Sequence, residues 1–209
     1  MNEFEPASAL YLITAPAADV VSLEDMKKHL RVDAANIDDD DTIEAYTDAV
    51  VQHLDGRDGI LGRALCDQTW ELRLSAFPCG AIRIPLPPLI EIVSIKYRDS
   101  DGAETVYAAE NYHVTGVGDR GRIHLRDGKS WPTVGNGWPE PVIVQFRCGY
   151  IDSGVSPPAV DVPKPIVAAV KMKTADLYAN RETIVVGESA IELPWAAKAL
   201  LAPFIVYGA

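Results

Sequence analysis

The sequence has 209 residues, 48% of them apolar, enough for one elaborated domain or two small ones with a real core, so disorder is not the default. Its 19 Lys and Arg stand against 30 Asp and Glu for a net charge of -11, which disfavours nonspecific attraction to nucleic acid or to an anionic membrane. The three cysteines, Cys66, Cys79 and Cys148, form no C-x-x-C pair and leave an odd number, against both a zinc site and a secreted disulfide framework; a reducing cytoplasm fits.

Met1 to Leu12 mixes Glu3, Glu5 and Pro6 with apolar residues and lacks the basic start and long apolar stretch of a signal peptide. No run approaches the roughly 20 apolar residues that a membrane span needs. The acidic excess is concentrated early: residues 1–65 hold 14 acidic and 5 basic side chains, 66–150 hold 10 and 9, and 151–209 hold 6 and 5.

Val21 to Arg31 reads as a short helix, with Ser22 as N-cap, Asp25 in the third helical position, and Leu23, Met26, Lys27 and Leu30 on one side. A second helix is expected from Asp41, where Ile43, Tyr46, Val50 and Leu54 make an amphipathic stripe that ends near the glycines of Asp55 to Gly59. The acidic run Asp38, Asp39, Asp40 and Asp41 falls in the connection between them, and a solvated loop with an N-cap explains it.

From Cys66 the apolar period changes to two. Trp70, Leu72 and Leu74 alternate with Glu71, Arg73 and Ser75, the pattern of a strand with one buried face, over Thr69 to Phe77. Further strands are expected at Ala81 to Ile84, Ile90 to Arg98, Thr105 to Tyr107, Tyr112 to Thr115, Arg122 to Leu125 and Val142 to Arg147. Pro85, Pro87 and Pro88 mark an edge or a crossing because proline donates no ladder hydrogen bond. Helical character returns after Pro157, Pro158, Pro163 and Pro165. Ile166 to Arg181 is apolar on more than one side, as a core helix or an interface helix would be. A link at Glu182 to Glu192 then leads to a last short helix, Pro194 to Leu201, and an apolar tail.

The fold class is therefore α+β: N- and C-terminal helices form a small helical body with an inserted antiparallel β module. The expected parts are an N-terminal helical part (1–65), the β module (66–150), and C-terminal helices with a tail (151–209), the helical parts packing together.

Motifs that carry chemistry fail on context. Gly116, Gly118 and Gly121 fit G-x-G-x-x-G, but Arg122 to Leu125 alternates like a strand where a dinucleotide site needs a helix N-terminus, so the segment reads as a hairpin. Gly128-Lys129-Ser130 lacks the preceding glycine of a phosphate loop. His29, His53, His113 and His124 fall on different elements, no G-x-S-x-G surrounds a serine, and Cys66 reads as a small core residue. No cofactor, metal or catalytic residue is expected. A soluble enzyme or ligand-binding domain built on the β module would need a pocket of converging polar groups.

In order and spacing the chain resembles the head-tail connector (adaptor) family of tailed bacteriophages and phage-derived gene transfer particles. The resemblance runs through Val21-Ser22-Leu23-Glu24-Asp25-Met26-Lys27-Lys28-His29-Leu30-Arg31-Val32, the Asp-rich link with Ile43 and Tyr46, Gly62-Arg63-Ala64-Leu65 and Gln68-Thr69-Trp70-Glu71-Leu72. It continues through Phe77-Pro78, Ile84-Pro85-Leu86-Pro87-Pro88-Leu89, Val93-Ser94-Ile95, Gly149-Tyr150, Val162-Pro163 with Ile166, and Tyr178 with Arg181. The glycine-rich Asp55 to Ile60 departs from the pattern and leaves the length of the second helix open.

That resemblance implies a non-enzymatic ring subunit, usually of twelve copies, in the particle neck. Its partners would be further copies of itself, the portal protein above, and a tail or stopper component below; DNA would pass without specific binding, and no membrane is involved. It would reside in the virion after assembly in the host bacterial cytoplasm. Another neck protein, a stopper or a terminator, is the neighbouring alternative. Asp38 to Asp41 become candidates for an acidic channel lining. Ile166, Val170, Leu177 and Tyr178 on the third helix become candidates for the subunit interface, with ordinary core packing as the other reading. Trp195, Leu200, Leu201, Phe204, Ile205 and Tyr207 become candidates for docking to the portal, with packing on the subunit's own helices as the other reading. On the docking reading, Pro203 to Tyr207 serves attachment and not folding.

Overall fold

The computed structural model describes residues 8–135, 137–150, 161–180 and 195–207. The chain divides into two compact units: Met1–Ala17 with Cys66–Val160, and Ala18–Leu65 with Asp161–Ala209.

The first unit carries the β structure. Its strands are β1 (Ser8–Thr14), β2 (Gln68–Leu74), β3 (Ile82–Arg83), β4 (Leu89–Arg98), β5 (Glu104–Val106), β6 (Tyr112–Thr115), β7 (Arg122–Leu125) and β8 (Val142–Cys148). They form a five-stranded sheet in the order β1-β2-β8-β4-β5 and a three-stranded sheet in the order β3-β7-β6, with every ladder antiparallel. All seven expected strands are present. The eighth, β1, falls in the part expected to be helical only. Ala9, Leu10, Tyr11, Leu12 and Ile13 form an unbroken apolar run with no alternation, so the period that revealed the other strands is missing.

The core of the large sheet follows from strict alternation. Gln68, Trp70, Leu72 and Leu74 are buried on β2, and Val142, Val144, Phe146 and Cys148 on β8. Register sets them opposite one another, Trp70 against Phe146, Leu72 against Val144 and Leu74 against Val142. Burying each large side chain contributes roughly 1.5 to 3 kcal/mol. The buried Gln68 and Trp70 satisfy each other, indole Nε1 donating to Oε1 at 2.9 Å. On the second ladder of β8, Ile95 of β4 faces Val144, and two register shifts bend β4 along its length.

An aromatic cluster lies between the strands of this unit. Phe77 stacks on Trp131 at 4.7 Å between centroids, and Tyr107 approaches both rings and Tyr112. Burial pushes the Tyr107 and Tyr112 phenols up from their ordinary pKa, so both stay neutral donors, and Tyr107 donates to the Ser130 carbonyl at 3.1 Å.

Pro85 to Pro88 make the crossing from β3 to β4, as their missing donors require, with Leu86 buried at a positive φ of 58° and a cis bond between Pro87 and Pro88. The glycine-rich segment joins β6 to β7 as a hairpin loop; at Gly116, φ 73°, an added Cβ would run into the Arg120 carbonyl. Positive φ at Gly116 and Gly118 and the close approach of Leu89 to Gly121 account for these glycines.

The second unit is helical: α1 (Leu23–Leu30), α2 (Asp40–Leu54), α3 (Lys164–Ala179) and α4 (Trp195–Leu201), followed by a 3-10 turn at Ala202–Phe204. Ser22 caps α1 by accepting from the Asp25 amide at 3.2 Å. On α2 the buried stripe is Ile43, Thr47, Val50 and Leu54. Thr47 takes the place expected for Tyr46 because its hydroxyl is satisfied at home, donating to the Ile43 carbonyl at 2.7 Å. The glycines after α2 make the chain double back: Gly56 donates to the Arg63 carbonyl, and the Asp55 carboxylate accepts from the Leu65 amide at 2.6 Å. The helix thus runs its full length to Leu54, and the departure from the family pattern is a built turn.

Gly149 stands at φ 127°, and an added Cβ would collide with the Cys66 carbonyl. Gly149→Ala is expected to cost more than about 3 kcal/mol, through backbone strain and loss of the β2–β8 junction, read as a lower urea midpoint.

Candidate functional site

The residues singled out for assembly all lie in the helical unit, and the geometry there starts from Lys27. Its side chain is buried, although lysine is among the residues least often inside. Nζ donates to the carbonyls of Ala34 and Asn36 at 3.0 and 2.6 Å and forms an ion pair with Asp40 Oδ1 at 2.8 Å. The loop between α1 and α2 is therefore wound around one ammonium group. Asp33 and Asn36 tighten it further by accepting from the amides of Ala35 and Asp38.

This arrangement splits the four aspartates. Asp40 is half-buried against Lys27, and Asp39 accepts from the Tyr178 hydroxyl of α3 at 2.7 Å. Asp38 and Asp41 are exposed. Two members of the run thus hold the helices together, and two are free to set a surface potential.

The third helix divides in the same way. Ile166 and Val170 are fully buried in the unit's own core, where α3 packs against α1, α2 and α4. Leu177 and Tyr178 are half-buried, and Tyr178 is engaged with Asp39. Packing within the subunit thus accounts for Ile166, Ala169 and Val170, while Val167, Ala168, Met172, Leu177 and Tyr178 stay part-exposed along the helix.

The tail is built into the unit more than expected. Arg63 donates to the Phe204 carbonyl at 2.7 Å with its guanidinium 5.8 Å from the Phe204 ring, and the Val206 amide donates to the Leu61 carbonyl at 2.9 Å. Leu201 is buried, while Leu200, Phe204 and Ile205 are half-buried. Tyr207 stands clear, 76% exposed. The tail therefore contacts its own helical unit, as the packing reading of this segment has it. The sequence could not show that a left-handed turn at Gly62, φ 58°, leaves room for Val206 beside it. Trp195 lies at the start of α4, and its side chain is outside the described residues.

In the β unit, the face of the large sheet opposite its core carries a concavity of about 370 Å³, lined by Glu71, Arg73, Ser94, Lys96, Glu104 and Trp138 among others. Its charges are occupied with one another: Arg73 with Glu71 at 2.9 Å, Lys96 with Glu104 at 2.9 Å, and Arg98 over the Trp138 ring at 4.4 Å. The Glu71 hydrogen bond raises the Arg73 pKa, and that from Lys96 lowers the Glu104 pKa. Nearby, Arg147 of β8 is clamped by Asp67 and Glu91, which push its pKa up. None of these side chains pairs a nucleophile with a base. Among the described residues no group of three His, Cys, Asp or Glu could hold a metal ion, and no helix is long and apolar enough to cross a membrane.

The chain is thus an α+β protein with a helical unit and an antiparallel β unit. No protein-family model and no curated protein sequence matches it. Among solved structures it matches a chain in the neck of an empty gene transfer agent particle computed with C6 symmetry, with TM-score 0.73 and 21% identity over 96% of this chain and 97% of that one. It matches a chain of the virion of a native gene transfer agent particle with TM-score 0.72 and 21% identity over 96% of each chain. It also matches a chain in the neck of a native particle computed with C12 symmetry, with TM-score 0.69 and 21% identity, over 96% of this chain and 97% of that one. The chain has the fold of these particle components over nearly its whole length.

Lys27→Met keeps the bulk and removes the charge, leaving Asp40 and two carbonyls without their partner. It is expected to destabilise by about 2 to 4 kcal/mol, measured by urea denaturation. Truncation after Ala202 should lower the melting temperature, whereas Tyr207→Ala should leave it within about 1 °C, since exposed substitutions cost little.

Proposed function

We propose that this chain is a structural subunit of the neck of a phage or phage-like particle, and within the neck the head-tail connector (adaptor), a ring between the portal and the next tail component. The observation that carries the reading is the end-to-end likeness to chains in gene transfer agent necks, which takes in both units at once. A fold shared only through a common β module would not extend to the helices. The sequence resemblance to the adaptor family, drawn from different evidence, points the same way.

In this reading the subunit does no chemistry; its work is geometric. Exposed Asp38 and Asp41 would face a passing polyanion and repel it, so that DNA moves through without being gripped. Ring closure would use a heterologous interface, one face of a copy against a different face of the next, with Leu177 and Tyr178 on one such face. Tyr207, with half-buried Leu200, would dock to the portal. A weak contact repeated around a ring becomes firm attachment.

The test is electron microscopy of the purified full-length chain, alone and mixed with the portal protein of its particle. Rings capping the portal are the expected result, with no turnover of nucleotides, esters or peptides. Binding to the tail component and not to the portal would make it a stopper, and a measurable kcat abolished by one polar substitution would overturn the structural role.

A further inference from the structure

The five-stranded sheet of the β unit ends in two edges that no strand pairs among the described residues. The first edge, β1, is seven residues long and carries neither a charge nor a proline. Tyr11, Leu12 and Ile13 stand 43%, 47% and 46% exposed, so the strand shows apolar side chains on both of its faces. An uncharged edge of this kind presents free N–H and C=O groups to any strand that arrives, and folded proteins ordinarily guard it with lysine, proline or a covering element. Among the described residues, β1 has a register shift between Leu12 and Thr14 and the Arg73 guanidinium 4.5 Å from the Tyr11 ring, and neither covers the backbone edge at Leu12 and Ile13.

The opposite edge, β5, is also unpaired among the described residues. Its three residues are exposed, Val106 by 61%, and its one charge, Glu104, is held by Lys96. Because all four ladders of the sheet are antiparallel and the strand count is odd, β1 and β5 run in the same direction. A copy placed beside another in the same orientation therefore brings β5 against β1 as a parallel pair. That joint is heterologous and can repeat, whereas β1 against β1 would be isologous and stop at two copies.

We propose that β1 of one copy pairs with β5 of the next, so that the large sheet continues from copy to copy; this rests on the reading of the chain as a ring subunit. The dimensions suit it. Five strands at about 4.8 Å spacing span roughly 24 Å, and twelve such copies, the symmetry of the C12 neck, close at a diameter of about 90 Å. With a three-residue β5, the joint is small beside the ~1,000 Å² of a lasting two-body interface, so it holds through ring closure and the other contacts between copies.

The experiment uses the full-length chain with exposed Cys79 replaced by serine, and four double-cysteine variants that combine Leu12→Cys or Ile13→Cys with Thr105→Cys or Val106→Cys. Under mild oxidation at high protein concentration, at least one pair is expected to give a ladder of covalent dimers, trimers and higher species, while every single variant stays monomeric on a denaturing gel. Dimers from Ile13→Cys alone would show a β1 to β1 joint and overturn the proposal. Ring population is counted separately by negative-stain microscopy. Rings without a ladder from any pair overturn the edge joint and leave the ring reading standing; neither rings nor ladder overturns both. As a second arm, L12K/I13K places charges on the edge. With an unchanged circular dichroism spectrum, it should reduce rings at least tenfold, and intact rings would overturn the proposal.

Discussion

The β unit depends on where β8 goes. This strand comes last in the unit, yet it lies between β2 and β4 and pairs with both along its length. Until it arrives, β2 and β4 have no partner between them, and Trp70, Leu72 and Ile95 lack the cross-strand neighbours Phe146 and Val144. Long-range pairing of this kind costs loop-closure entropy before it returns any contact. Phe146, Val144 and Val142, all fully buried, supply the return. Arg147 adds direction: it faces away from the core and is clamped by Asp67 ahead of β2 and Glu91 on β4, so it joins all three strands at one point. Partial exposure and solvent screening keep its energetic share modest, and its larger effect is to fix register.

The helical unit has its own organising contact. A lysine inside a small helical body is tolerable only if its charge is compensated, and two carbonyls of the loop after α1 together with the Asp40 carboxylate at the start of α2 do so. In consequence the acidic run is not one feature. Asp39 and Asp40 are engaged with α3 and α1, and Asp38 and Asp41 are left exposed to solvent.

Much of the fold was legible because apolar period reports which face of an element is covered. It located seven strands and the helices, and failed at β1, where apolar residues run unbroken. Turn and cap chemistry was equally readable, at Ser22, at Pro85 to Pro88 and in the Gly116 hairpin. The candidate surfaces were less so. Ile166, Val170 and Leu201 carry the same apolar signal whether they face their own core or a neighbour, since side-chain hydrophobicity is blind to whose surface covers it. The Arg63 contact with Phe204 joins residues too far apart in the chain for any local pattern to announce.

What the sequence by itself determined is the kind and order of the elements, the absence of recognisable catalytic motifs and the acidic balance, because each follows from local spacing or simple composition. What only the tertiary structure decided is which strands are neighbours, which aspartates are free, how far the tail is anchored and which sheet edges stay open. These depend on pairings between distant segments, and a pairing energy belongs to two surfaces at once. Neither segment states its partner, so the choice is made only when the whole chain competes for the same contacts.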